Sequence, residues 1–236
     1  EKGADYNIIS SLDDIAWMYN FRGCDVVHNP VALSFTIISE KKSILYINEK
    51  KLDKKTQKYF KDNKVEIKEY FEFFEDIKKL KGNILVDFNK ISYAIYEAIG
   101  KNTLINSMNP STYLKAHKNK TEIANTKEIH VQDGVAIVKF MYWLKTNYKK
   151  ENITEFSAEQ KINSLRKEIE GYLDLSFHTI SAFRKNAAMM HYSAPEKKST
   201  KIEDGVYLLD SGGTYLKGTT DITRTFFLGK VGKQEK

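Results

Sequence analysis

Residues 208–225 constrain this chain more than any other stretch: Leu-Leu-Asp-Ser-Gly-Gly-Thr-Tyr-Leu-Lys-Gly-Thr-Thr-Asp-Ile-Thr-Arg-Thr. β-Branched and small residues surround Gly212, Gly213 and Gly218, a composition that makes a twisted β-hairpin. Asp210 and Asp221 stand eleven residues apart within it, and the pairing register decides whether they can meet. A two-residue turn at Lys217-Gly218 would pair Thr214 with Asp221 and hold the two aspartates about 13 Å apart. A four-residue loop at 215–218 pairs Gly212 with Asp221 and shortens that offset to about 7 Å. Gly212-Gly213 could tighten it further by hosting a bulge.

Convergent carboxylates bind hard or borderline divalent cations, because each oxygen supplies charge that the ion needs on leaving water. Asp210 and Asp221 are therefore candidate metal ligands. The plainer reading makes them hairpin aspartates, one ending a strand and one capping a turn. Two carboxylates also leave a divalent ion short of ligands, and histidine, glutamate or water must supply the rest. His191 follows the apolar run 187–190 at an expected strand end. There it is either a hydrogen-bonded core histidine or a donor to a reacting carbonyl and its oxyanion. His178 is read as structural, and His28, His117 and His130 have no ligand pattern around them.

The bulk properties exclude several classes. The net charge of +7 comes mostly from lysines interspersed with acidic residues. Nucleic-acid binding usually shows a concentrated arginine-bearing patch, so no nucleic-acid partner is expected. No segment has the apolar length of a membrane span, and no leader-like segment opens the chain, so neither a membrane nor secretion is expected. Cys24, the single cysteine, forms no internal disulfide and, far in sequence from His191, makes a poor nucleophile.

The first half alternates between helical and strand patterns. Leu12, Ile15, Ala16 and Tyr19 recur at helical spacing behind Ser10-Ser11. Residues 31–38 and 43–47 form a hairpin across a polar turn. Helices are expected at 53–60 and 70–80, strands at 65–67 and 83–87, and a last helix runs from an Asn89 cap to Gly100. This is a small α/β domain. After Pro110 the texture changes. A long helical stretch, 111–148, carries a break near Asn125-Thr126. A second helix runs from about Ser157 to Tyr172, with Glu159 placed for a capping box. Three apolar β pieces follow, at 187–192, 206–210 and 222–228, which makes this half α+β.

Residues 11–25, Ser-Leu-Asp-Asp-Ile-Ala-Trp-Met-Tyr-Asn-Phe-Arg-Gly-Cys-Asp, with Asn29-Pro30-Val31 soon after, resemble the opening of the middle domain of the Xaa-Pro aminopeptidase (aminopeptidase P) family. Residues 187–194 and 209–225 resemble two successive catalytic-domain motifs of the same family, in the same order. The large cytosolic three-domain form is the nearest match. The resemblance implies a creatinase/aminopeptidase-like α/β middle domain over 1–111, then the first part of an α+β pita-bread catalytic domain over 112–236.

It implies further that the parent protein is a cytoplasmic metallo-exopeptidase, a possible homodimer, acting on peptides with an Xaa-Pro N-terminus. Asp210 and Asp221 would be the first two of five ligands to two divalent ions, usually Mn2+, with Asp221 bridging both. His191 matches the family's substrate-binding histidine. Thr225 falls near the metals as a supporting hydrogen-bonding residue. A metal-bound hydroxide would attack the scissile carbonyl. Two departures matter. Arg184-Lys185-Asn186 stands where the family commonly has a glycine-containing turn. The family's remaining ligands, a histidine and two glutamates, all lie downstream of this sequence, which implies that the 236 residues alone are inactive. The competing readings are a prolidase-type dipeptidase and a non-catalytic binding module with the same fold.

Overall fold

A computed structural model describes residues 2–230 and Gly232. The chain forms two compact units, one of residues 1–27 and 31–118, the other of residues 28–30 and 119–236.

In the first unit the apolar alternation of the sequence becomes a mixed six-stranded sheet in the order β4-β3-β2-β1-β5-β6. Its strands are β1 (Tyr6–Ile9), β2 (Ser34–Ser39), β3 (Ser43–Ile47), β4 (Val65–Lys68), β5 (Asn83–Val86) and β6 (Thr103–Asn106). β1–β2 and β2–β3 are antiparallel, while β3–β4, β1–β5 and β5–β6 are parallel. Successive side chains of a strand point to opposite faces, and β1 uses both. Ile8 enters a cluster with Phe73, Ile77, Ile95 and Ile99, supplied by α3 (Glu72–Ile77) and α4 (Tyr93–Ile99). Ile9 enters another with Ile15, Tyr19 and Phe60, supplied by α1 (Leu12–Met18), the residue after it, and α2 (Lys54–Asp62). Both clusters are built of buried apolar side chains, and each fully buried side chain in them contributes about 1.5–3 kcal/mol.

Several boundaries differ from expectation. Ser92, not Asn89, caps α4, because Asp87 already turns the chain by accepting from the amides of Asn89, Lys90 and Ile91. Strands β1 and β6, four residues each, were not expected from the sequence. The helical stretch after Pro110 breaks at 117–119 rather than at 125–126. α5 (Pro110–Ala116) belongs to the first unit, where Thr112 donates to Asp14 and Lys115 pairs with Asp13 and Asp14.

The second unit starts as Asn119 caps α6 (Lys120–Asn147) through a reciprocal bond with Glu122. α7 (Glu155–Lys167) begins before Ser157, since Thr154 and Ser157 form the capping box there. Glu159 instead lies on the buried face of α7, only 4% exposed. The strands are β7 (Tyr172–Leu175), β8 (Ile180–Phe183), β9 (Gly205–Ser211), β10 (Gly213–Tyr215), β11 (Gly218–Thr219) and β12 (Ile222–Leu228). They make two antiparallel sheets, β12-β9-β8 and β11-β10-β7. Ala136, Ile137, Phe140 and Leu144 of α6 join Ala158 and Ile162 of α7 against Phe183, Tyr207, Leu209, Phe226 and Leu228.

The expected strand at 187–192 is a correction. Residues 184–188 form a 3-10 turn, Arg184 and His191 have φ of 50° and 56°, and Met189 and Met190 are exposed. Left-handed residues cannot continue a pleated strand, so β8 provides the third strand instead. Among the described residues, no helix is long and apolar enough to cross a membrane.

Candidate metal centre

The ribbon that carries the two aspartates adopts the register that brings them closer. β12 pairs with β9 so that Ile222 faces Ser211 and Thr223 faces Asp210. β11 pairs with β10 in the same register, Thr214 opposite Thr219 and Tyr215 opposite Gly218. One step beyond Ile222, Asp221 falls opposite Gly212. The turn itself is only Leu216-Lys217, shorter than the four-residue loop expected, but the register is the one that loop required.

Between these paired segments the ribbon passes from one sheet to the other at Gly212 and Thr220-Asp221. Close packing marks the crossing. The Gly212 carbonyl accepts from the Ser176 amide, and the Ser176 hydroxyl donates to the Thr220 carbonyl at 2.8 Å. A Cβ on Gly212 would lie 2.0 Å from that carbonyl oxygen and 2.2 Å from Ser176 Oγ. Glycine is needed here for close approach, not for an unusual dihedral.

Directly opposed residues share a face. Tyr207, Leu209 and Ser211 of β9 point into the core with Phe226 and Leu228 of β12. Asp210 therefore points the other way, together with Thr223 and Thr225, and alternation carried one step past Ile222 assigns Asp221 to the same side. Asp210 is half-buried and Asp221, Thr223 and Thr225 are exposed. The aspartates thus lie on one open face, offset by two residues or about 7 Å along the strand. Thr223 donates its hydroxyl to Asp210 Oδ1 at 2.6 Å, which fixes the carboxylate's orientation. Thr225 stands two pairs farther along, opposite Leu208. Thr223 was missed in the sequence, although the favoured register already places it across from Asp210.

The ribbon is anchored from beneath. Asp133 of α6 and Arg166 of α7 are both fully buried and paired at 2.6 Å. The Tyr215 hydroxyl donates to Asp133 at 2.6 Å, and Arg166 Nη2 reaches the Ser211 carbonyl at 3.4 Å. Burial and the bond to Asp133 push the Tyr215 phenol well above its ordinary pKa, so it remains a donor. One buried ion pair thereby holds both sides of the Gly212 crossing. No sequence motif announces it, since its members are 33 and 49 residues apart (133 to 166, 166 to 215).

His191 is exposed, in the irregular loop between β8 and β9 rather than at a strand end. From the connection between β7 and β8, His178 Nε2 lies 2.8 Å from Ser193 Oγ of that loop, consistent with a structural part for His178. Among the described residues, no group of three or more histidine, cysteine or acidic side chains could enclose a metal. The fit of a metal therefore rests on two carboxylates about two residues apart along the ribbon, one of them oriented by a hydroxyl. That donor set suits part of the shell of an oxygen-liganded divalent ion.

Comparison with known proteins assigns both units. Residues 1–122 match the creatinase/prolidase N-terminal domain, and residues 124–236 match metallopeptidase family M24. A probable Xaa-Pro aminopeptidase P of Pyricularia oryzae is 36% identical over 97% of this chain and 40% of its own length. Xaa-Pro aminopeptidase 1 of Dictyostelium discoideum is 36% identical over 100% of this chain and 38% of its own. The crystal structure of the Caenorhabditis elegans X-prolyl aminopeptidase, described as a cytosolic enzyme with a di-nuclear active site, superposes with a TM-score of 0.93. It is 31% identical, covering 99% of this chain and 40% of that one. The chain thus spans about two fifths of the length of such relatives. With a creatinase-like α/β unit followed by part of a pita-bread α+β unit, it belongs to the creatinase/prolidase N-terminal domain family over residues 1–122 and continues into a match to metallopeptidase family M24.

Proposed function

We propose that the parent protein is a metal-dependent aminopeptidase that releases the first residue of peptides carrying proline second. The observation that supports this is the hairpin register, which brings Asp210 and Asp221 within two residues along the ribbon, with Asp210 oriented by Thr223. The two carboxylates would hold two divalent ions, Mn2+ in our reading, with Asp221 serving both and Thr225 supporting the shell by a hydrogen bond. Bound there, the ions would supply Lewis-acid polarisation of the scissile carbonyl and lower the pKa of water.

The chain's own residues do the rest. Thr223 keeps Asp210 aimed, the buried Asp133–Arg166–Tyr215 network keeps the ribbon from shifting, and exposed His191 donates to the substrate carbonyl as charge develops on it. Two carboxylates are too few ligands to hold a pair of ions tightly, so the 236 residues alone are expected to hydrolyse nothing. A cytosolic location and a homodimeric state complete the proposal, on family likeness.

The test is the Mn2+-loaded full-length parent assayed on an Xaa-Pro-Xaa tripeptide and on an Xaa-Pro dipeptide. Release of the first residue from the tripeptide is expected. Cleavage confined to the dipeptide would make the protein a prolidase, and no hydrolysis of either would make it a binding module.

A further inference from the structure

Glu155 is the first residue of α7 and is fully buried. A carboxylate removed from water needs several donors to offset its desolvation. It finds them all in one stretch of chain. The Phe183 amide donates at 2.6 Å, the Asn186 side-chain amide at 2.9 Å, the Tyr192 hydroxyl at 2.7 Å and the Thr200 amide at 3.3 Å. These donors sit at the start, middle and end of the loop that joins β8 to β9. The helix N-terminus adds its own preference for negative charge at this position. The backbone doubles the clamp, since the Glu155 amide donates to the Thr200 carbonyl and Thr154 bridges to Lys201.

The loop held in this way is strained. Arg184 and His191 both adopt positive φ, a conformation that costs a residue with a side chain on the order of 1 kcal/mol and persists only where its surroundings enforce it. His191 is exposed, while its neighbour Tyr192 turns inward to Glu155. Burial, together with the bond to Glu155, pushes the Tyr192 phenol up to about 12, so the latch stays protonated in ordinary buffers.

We propose that Glu155 and Tyr192 are positioning residues for His191: the buried carboxylate gathers the loop, and the tyrosine latch holds the adjacent histidine outward in its left-handed conformation. The proposal rests on the reading of His191 as the substrate-binding histidine. A structural role alone would make Tyr192→Phe a stability variant whose effect on turnover is independent of His191.

A double-mutant cycle in the full-length parent separates these cases. His191→Ala is expected to lower kcat/KM roughly 100-fold and Tyr192→Phe roughly tenfold or more. The double variant should match His191→Ala alone, because a latch has nothing to position once the histidine is gone. Losses that multiply would overturn the positioning role while leaving His191 in place. An inert His191→Ala would remove the reading of that histidine, and the proposal with it. Hydrogen exchange on the full-length parent gives a readout that needs no activity. Tyr192→Phe should speed exchange across residues 184–200 without changing α6, and unchanged exchange in that loop would equally overturn the proposal.

Discussion

Replacing Asp133 with alanine strikes the ion pair beneath the ribbon, and the size of the effect follows from what is left behind. Arg166 is fully buried. Without Asp133 its guanidinium loses a bidentate partner at 2.6 and 3.1 Å and retains the long contact to the Ser211 carbonyl. The Tyr215 hydroxyl loses its acceptor as well. Breaking a buried pair from one side costs about 3–5 kcal/mol, since the surviving charge remains in a medium that solvates it poorly.

The protein's two tryptophans give a clean assay, because Trp17 lies in the first unit and Trp143 in the second. In a Trp17→Phe background, urea unfolding followed by Trp143 fluorescence reports on the second unit alone. With a denaturant slope of about 2 kcal/mol per molar, a loss of about 4 kcal/mol lowers the midpoint by roughly 2 M. Replacing both members, Asp133→Leu with Arg166→Met, removes the stranded charge and should recover most of that loss. A midpoint for Asp133→Ala within about 0.3 M of the parent would refute the idea that this pair anchors the ribbon.

The other predictions concern pH and close packing. Burial raises the Glu159 carboxyl to about 7 from 4.5. A group whose folded pKa is raised adds stability below its unfolded pKa and loses it as pH climbs through the folded value. The second unit should therefore weaken between pH 4.5 and 7 by an amount on the order of 1–3 kcal/mol. Glu159→Gln should abolish that slope and be the more stable protein at pH 8, and parallel pH profiles for the two would contradict the reading. Gly212→Ala forces a methyl against the Thr220 carbonyl, so it should destabilise the ribbon by roughly 1–3 kcal/mol and weaken Mn2+ binding by the parent. Gly218→Ala, whose Cβ would meet Ile129 at an ordinary 3.4 Å, should do neither.

Much of the first unit was legible because period-2 and period-3.6 patterns stood out clearly. The β2–β3 hairpin, α2 with its Asp53 cap, and Gly100 after α4 with φ of 66° all follow from local chemistry. Local chemistry also misled. The apolar run before His191 reads as a strand, yet Glu155, some thirty residues upstream, gathers that run into a loop. The α7 face carrying Glu155, Glu159, Asn163 and Arg166 is polar in every residue, yet all four are buried. A buried polar stripe is invisible to hydropathy because its partners come from other elements. The ribbon was legible as a hairpin with two registers open, and the structure adopts the one that lets the aspartates approach, through a turn shorter than the loop expected for it. Its anchor was not, since Asp133, Arg166 and Tyr215 meet only after α6, α7 and the hairpin have packed.

Metal stoichiometry of the intact parent protein, measured by elemental analysis for wild type, Asp210→Asn and Asp221→Asn, tests most directly whether the two carboxylates serve a common centre. The account predicts two equivalents of Mn2+ in wild type, with loss of at least one in Asp210→Asn and of both in Asp221→Asn. Retention of the full complement in both variants would contradict it.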